Sequence, residues 1–126
     1  NSFLLKEFYA KAIVSVSPGY VGLSLTQSAG FGVPMIYSTH ERHSPEIELF
    51  QKVHHYKFKA DDYRSLSESL RKSVHDAESV EFENRCEIMV QIVRKTYNME
   101  KMVDGLCAAI LNQRQNLGLE GFPYDI

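Results

Sequence analysis

The chain has 126 residues, of which 44% are hydrophobic and 24% are charged, and its formal net charge is -2. A chain of this length and composition is large enough to fold as one domain around a buried core. The slight negative charge argues against general nucleic-acid binding, which needs many uncompensated Lys and Arg side chains. No apolar run approaches the length of a membrane span, and no signal peptide is visible.

The first half of the chain alternates between helix and strand patterns. A helix with one apolar face precedes a β-branched strand over residues 13–16, which ends at the Pro18-Gly19 turn. A short helix rich in small residues spans about 23–31, and a second strand covers 35–38. A polar loop then carries His40, Arg42 and His43.

The second half of the chain is mostly helical. Pro45 at a first helical position and Glu46 in the first turn predict a helix to about residue 51. A weak strand over 56–59 follows, and then three amphipathic helices. Their apolar stripes are Tyr63, Leu66, Leu70 and Val74; Phe82, Cys86, Met89, Val93 and Tyr97; and Met99, Met102, Val103, Leu106 and Ile110.

The two cysteines bear on the cellular compartment. Cys86 and Cys107 both fall in helical patterns, and neither belongs to a spacing that binds metals. This usage predicts reduced thiols in the core of a cytoplasmic protein.

Alternating strands and helices predict an α/β fold, part of a Rossmann-like parallel sheet of about three strands flanked by helices. In a sheet of order 3-2-1-4-5-6 these would be strands four to six. Strand 13–16 would then form an exposed apolar edge, which soluble proteins avoid. The simplest explanation is that residues 1–126 are one partial domain, the C-terminal part of a larger enzyme. A self-pairing edge that forms a homodimer is the alternative.

Residues 17–36 (SPGYVGLSLTQSAGFGVPMI) form the most informative segment. A strand, a glycine turn, a helix and a second strand place free backbone N–H groups and a positive helix end toward an anion, often a phosphate. The segment resembles the sugar-nucleotide-binding stretch of retaining glycosyltransferases of GT-B architecture, the group 1 family. The resemblance rests on Gly22-Leu23, the small-residue helix, Gly32-Val33-Pro34 and Ser44-Pro45-Glu46-Ile47. The two glutamates of the family motif, eight positions apart, fall on Gly19 and Gln27.

The resemblance implies the C-terminal donor-binding region of an enzyme that transfers a sugar from a nucleoside diphosphate to a glycan or lipid-linked acceptor, as in polysaccharide biosynthesis. It implies no cofactor and no metal, because oriented dipoles stabilise the departing diphosphate. The absent N-terminal domain would hold the acceptor, so we expect the chain to be inactive by itself. The full-length enzyme would be cytoplasmic, at the inner face of the membrane.

The resemblance also implies roles for particular residues, although it assigns no catalytic residue. Gln27 would contact the ribose through its amide, which both donates and accepts. Ser24 would add a hydroxyl donor. The donor diphosphate would be bound by the loop and the helix start, which comprise Gly19, Tyr20, Val21, Gly22, Leu23 and Ser24.

Simpler interpretations stay open for these residues. Gly22 and Gly32 also suit ordinary turns, Gln27 an ordinary helix position, and Tyr20 a packed aromatic. His40, Arg42 and His43 follow a strand's carboxyl end, where open α/β sheets bind ligands, but a solvated loop is favoured. His54 and His55 are predicted on the surface. Two other functions remain: a non-catalytic relative that binds a nucleotide sugar, and a Rossmann domain like that of sugar-nucleotide epimerases.

Overall fold

The computed structural model describes residues 2–43 and 45–116, and the chain divides into two compact units, Asn1–Lys95 and Thr96–Ile126. Ser44, which carries part of the resemblance, lies outside the described residues. The elements in chain order are α1 (Ser2–Lys11), β1 (Ser15–Ser17), α2 (Leu23–Gly30), β2 (Met35–Ser38), a 3₁₀ helix (Pro45–Gln51), β3 (His55–Phe58), α3 (Tyr63–Asp76), α4 (Val80–Thr96) and α5 (Met99–Asn116).

The three strands form one parallel sheet in the order β1-β2-β3. Met35 of β2 lies opposite Ser15 on one side and His55 on the other. All four residues of the central strand β2 are buried, as its continuous apolar run leads one to expect of a parallel strand covered on both faces. The predicted α/β class and the three-stranded parallel sheet are therefore confirmed.

The element boundaries differ slightly from those that the patterns predict. β1 begins at Ser15 rather than residue 13, because the first bond toward the neighbouring strand is the Ser15 N–H donating to the Pro34 carbonyl at 2.9 Å. Ile13 lies before the strand and is 43% exposed. β2 has the predicted bounds, β3 starts and ends one residue early, and the helix after Pro45 is of the 3₁₀ type.

One part of the core packs around the centre of the sheet. Ile36, Tyr56 and Phe58 form a buried cluster, and the half-buried side chains of Val14 and Leu66 pack against it. Burial of such side chains is the main source of stability in a domain of this size.

A buried serine ties α2 to the sheet. Ser28 is fully buried, and its hydroxyl donates to the Val33 carbonyl at 2.7 Å. The hydroxyls of Ser28 and Ser15 also lie 2.7 Å apart. A hydroxyl in this position is stable because its hydrogen-bonding groups are satisfied inside the protein. The helix that follows the glycine loop is thereby held against β1.

Helix α3 does not bury the whole of its predicted apolar stripe. Tyr63 and Val74 are 75% and 52% exposed, while Ser73 is fully buried. The Ser69 hydroxyl donates to the Lys57 carbonyl at 2.7 Å, and the Ser65 hydroxyl accepts from the Lys59 N–H at 3.0 Å. Backbone groups beside an edge strand need partners. The serine side of α3 supplies them, which leaves much of the stripe in solvent.

Gly32 has a structural role at the end of α2. Its φ angle is +75°, in the left-handed region that favours glycine, and a Cβ there would lie 3.2 Å from Cγ2 of Val90. The Gly-x-Pro sequence is thus explained by chain reversal and packing on α4, which supports the turn interpretation of this glycine.

We expect Gly32→Ala to lower the free energy of unfolding by about 1–2 kcal/mol, because an L-residue is strained at this φ and the side chain is crowded. Gly19→Ala is the matched control. Nothing lies within 4 Å of a Cβ built on Gly19, so its effect should stay within about 0.5 kcal/mol. Urea denaturation of both variants measures the difference, and equal values would contradict the strain argument.

Helix α5 belongs to the second unit and carries a predicted apolar stripe. Met99, Met102, Leu106 and Ile110 of this stripe are all exposed. Both cysteines are free thiols; Cys107 on α5 is exposed and Cys86 on α4 is half-buried, so the prediction of two core thiols is wrong for Cys107. No helix within residues 2–43 and 45–116 is long and apolar enough to cross a membrane.

Candidate functional site

The carboxyl ends of the three strands meet at one edge of the sheet, because the strands are parallel. Ser17, Ser38 and Phe58 end the strands there. The loops 18–22, 39–43 and 59–62 follow them. Open α/β sheets bind their ligands at this edge. The loop 18–22, called the glycine loop below, and the loop 39–43 with its two histidines therefore lie where a ligand is expected.

The glycine loop has a defined conformation. The Ser17 hydroxyl donates to the Tyr20 carbonyl at 3.2 Å, and the Leu25 N–H donates to the Gly22 carbonyl at 3.0 Å. The Val21 side chain is fully buried between these two contacts. The loop is therefore held at its start, its middle and its end.

Helix α2 begins without a side-chain cap. Its N-cap residue is Gly22, which has no side chain that could accept a hydrogen bond from the first amides. Helices α3, α4 and α5 differ, because side chains of Asp62, Ser79 and Asn98 accept from backbone N–H groups in their first turns at 2.8–3.1 Å. The first amides of a helix have no acceptor within the helix. Among α2 to α5, only α2 has an N-cap residue that provides no capping side chain.

The predicted binding residues differ in how exposed they are. Tyr20 and Leu23 are 66% and 75% exposed. Ser24 and Gln27 are exposed on α2, and Gly19 and Gly22 are half-buried. Val21 is buried, and its N–H already donates to His43 Nδ1 at 3.2 Å. A phosphate would contact the Val21 amide only after His43 released it. The amides of Gly22, Leu23 and Ser24 belong to the cap and first turn of α2, where a helix leaves its N–H groups without an acceptor inside the helix.

His43 is not the solvated loop residue that the sequence favours. Its ring is half-buried and lies edge-on to Tyr37, with ring centres 5.6 Å apart. Its Nε2 lies 2.8 Å from the Ser38 carbonyl. His40, by contrast, is exposed, and its Nδ1 lies 2.8 Å from the hydroxyl of its neighbour Thr39. The position of His43 after a buried strand was the sequence signal that pointed to a residue of the site.

A second polar cluster joins β3, α3 and α4. The Tyr56 hydroxyl donates to Asp76 Oδ2 at 3.1 Å and lies 3.0 Å from His54 Nε2, which therefore donates to it. Burial and the Asp76 carboxylate raise the pKa of Tyr56, so its phenol stays protonated. A cavity of about 270 Å³ beside this network is also lined by Lys72 and Arg85.

The surface prediction for His54 and His55 is wrong, since both are half-buried. Burial lowers the pKa of each imidazole below the ordinary value of 6.5, and Arg85 adds to this effect at His54. Because the unfolded chain then binds more protons than the folded one, stability rises with pH through this window. We therefore expect the free energy of unfolding to fall as the pH drops below about 6.5.

The measurement is the free energy of unfolding in urea at a series of pH values. His54→Gln keeps an N–H donor for Tyr56 but removes one titrating ring, so its pH dependence should be shallower than that of the wild type. Identical slopes below pH 6.5 would show that His54 does not contribute.

Within residues 2–43 and 45–116, no group of three or more His, Cys, Asp or Glu side chains is arranged to hold a metal ion. No protein-family model matches the chain, and no curated protein and no solved structure shows a significant match to it.

Proposed function

We propose that this chain is the donor-binding region of a glycosyltransferase. It binds the diphosphate of a nucleotide-sugar donor at the glycine loop, and the full-length enzyme transfers the glycosyl group to a glycan or lipid-linked acceptor. One observation supports this proposal above the others: the uncapped N-terminus of α2 lies at the carboxyl edge of a parallel sheet. Such a helix end attracts phosphates.

The proposed contacts use the backbone first. The amides of Gly22, Leu23 and Ser24 belong to the cap and the first turn of α2 and would donate to diphosphate oxygens. The helix dipole adds roughly half a positive charge at this end. Gln27 is exposed one turn further along α2, where its amide would donate to and accept from the ribose hydroxyls.

The same dipoles would assist the reaction. When the bond between the sugar and the diphosphate breaks, negative charge builds up on the departing nucleoside diphosphate. Preorganised N–H donors that face this charge stabilise the transition state more than they stabilise the bound donor, and they therefore lower the barrier. The proposal assigns no metal and no general base to this chain.

The free edge of β1 supports a larger sheet. Among the described residues β1 pairs only with β2, and Val16 on it is 42% exposed. We propose that another strand of the same enzyme covers this edge and that the acceptor domain precedes it, with the enzyme working in the cytoplasm at the inner face of the membrane. A homodimer through β1 is the alternative, and light scattering of the chain distinguishes them by its doubled mass.

The donor-binding proposal is tested by titrating the isotope-labelled chain with UDP and GDP while following its amide resonances by NMR. We expect one of the two nucleotides to shift the amides of residues 22–24, and uridine or guanosine to shift them far less. Shifts at another site, or none with either nucleotide, would overturn the proposal.

Gln27→Ala should weaken binding of that nucleotide severalfold, since a hydrogen bond contributes about 1 kcal/mol. Thr26→Ala on the same helix is the matched control and should bind like the wild type. Equal affinities for both variants would remove Gln27 from the proposed ribose contact while leaving the diphosphate contact intact.

A non-catalytic relative is the second candidate, because Gly19 and Gln27 occupy the two positions where the family motif has glutamates. Neither residue supplies a carboxylate, so both charge-assisted hydrogen bonds to the donor are lost. Nucleotide binding by the full-length enzyme without any consumption of donor would favour this candidate over the transferase.

A further inference from the structure

We infer that His43 is a positioning residue for the donor loop: it bridges the loop to the end of β2 and so sets where the phosphate-binding amides lie. This inference rests on the proposed function for its ligand. The bridge itself is observed independently of that function and joins two residues that are 22 positions apart in the chain.

The bridge defines the protonation of the ring. The Val21 N–H can only donate, and it lies 3.2 Å from His43 Nδ1, so Nδ1 must accept. The Ser38 carbonyl can only accept, and it lies 2.8 Å from Nε2, so Nε2 must carry the hydrogen. His43 is therefore neutral with its hydrogen on Nε2, and a doubly protonated ring would not fit this arrangement.

The bridge acts on the loop at the residue before the helix cap. Val21 is fully buried, so removal of its acceptor leaves a buried N–H without a partner, which is unfavourable. The loop would relieve this by leaving its present conformation. Because the next residue is the cap Gly22, the positions of the amides of residues 22–24 depend on the bridge.

The ring also has a packing contact that is separable from its hydrogen bonds. His43 lies edge-on to Tyr37, which itself stacks on Phe50 with ring centres 4.0 Å apart. His43→Phe therefore keeps an aromatic ring against Tyr37 and removes both hydrogen bonds. His40→Ala is the matched control, because His40 is exposed and contacts no residue of the glycine loop through a hydrogen bond.

The first measurement uses the wild-type chain alone. The imidazole nitrogen resonances report which nitrogen carries the hydrogen, and we expect Nε2. Hydrogen exchange of the Val21 amide should be slow in the wild type and in His40→Ala, and about tenfold or more faster in His43→Phe. A hydrogen on Nδ1, or unchanged exchange in His43→Phe, would overturn the bridge.

The second measurement is the affinity for UDP and GDP. His43→Phe should weaken binding of the preferred nucleotide about tenfold, and His40→Ala should change it less than twofold. His43→Asn places an amide oxygen near the former Nδ1 and should recover part of the affinity, which a loss of packing alone would not predict.

The outcomes separate the two proposals. Wild-type binding that His43→Phe leaves unchanged would overturn the positioning role while the proposed function stands. No binding by the wild type would overturn the proposed function, and the tautomer and the Val21 exchange would still decide whether His43 holds the loop. If His43→Phe does not fold, the wild-type tautomer and His43→Asn provide the same decision.

Discussion

Gly22→Asp is expected to reduce UDP or GDP binding at least tenfold without lowering the free energy of unfolding. Aspartate is among the best N-cap residues, so it would bond the first amides of α2 as Asp62 bonds those of α3. Those amides would then be occupied, and the carboxylate would repel a diphosphate at the same place. Binding should fall, whereas stability should stay the same or rise by a few tenths of a kcal/mol.

Gly22→Asn separates the two causes. Its neutral side chain caps the helix almost as well as aspartate but does not repel the ligand, so we expect an intermediate affinity. Affinity is measured by NMR titration and stability by urea denaturation of the same samples. An unaltered affinity in Gly22→Asp would place the nucleotide elsewhere on the chain.

Ile36→Ala is expected to lower the free energy of unfolding by about 3 kcal/mol. Ile36 is fully buried in the central strand and packs against Tyr56 and Phe58. Truncation removes the transfer free energy of three carbon atoms and leaves a cavity that strands paired on both sides cannot easily close. In a small domain this is a large share of the total stability.

Val16→Ala is the matched control for the core. Val16 lies directly opposite Ile36 in the sheet register, but it is 42% exposed. Its truncation should lower the free energy of unfolding of this chain by less than about 1 kcal/mol. Urea denaturation compares the two variants. Equal losses of unfolding free energy would contradict the observation that β2 is more deeply buried than β1. A larger loss for Val16→Ala in a full-length enzyme would indicate that another strand covers β1.

The sequence alone predicted the elements that depend on local pattern. The apolar run 35–38 is β2 with those bounds, and α3, the first of the three predicted amphipathic helices, begins after the capping residue Asp62. Both signals are local, because strand pairing follows burial of a continuous apolar run and helix caps follow the chemistry of one residue. The parallel three-stranded sheet followed from the alternation of these elements.

Contacts between distant residues could not be predicted in the same way. The stripe of α3 suggested an apolar face toward the sheet, and Leu66 of this stripe does pack against the buried cluster at the centre of the sheet. Ser65 and Ser69 of the same helix form hydrogen bonds with the edge strand and the residue that follows it. These bonds depend on which backbone groups another strand leaves unpaired, a property of the assembled sheet. The surface prediction for His54 failed for the same reason, because its half-buried ring lies edge-on to Phe82 of α4, with ring centres 5.9 Å apart.

The candidate site, too, has features that one segment of the sequence predicts and features that only the folded chain shows. The residues 17–36 by themselves indicated a loop and a helix start suited to a phosphate, since glycine positions and small residues are visible in one segment. Only the tertiary structure revealed that Gly22 leaves α2 without a capping side chain and that Val21 gives its N–H to His43, and it decided for the turn interpretation of Gly32. These facts depend on the folded path of the backbone, which brings residue 43 to residue 21 and which no local pattern encodes.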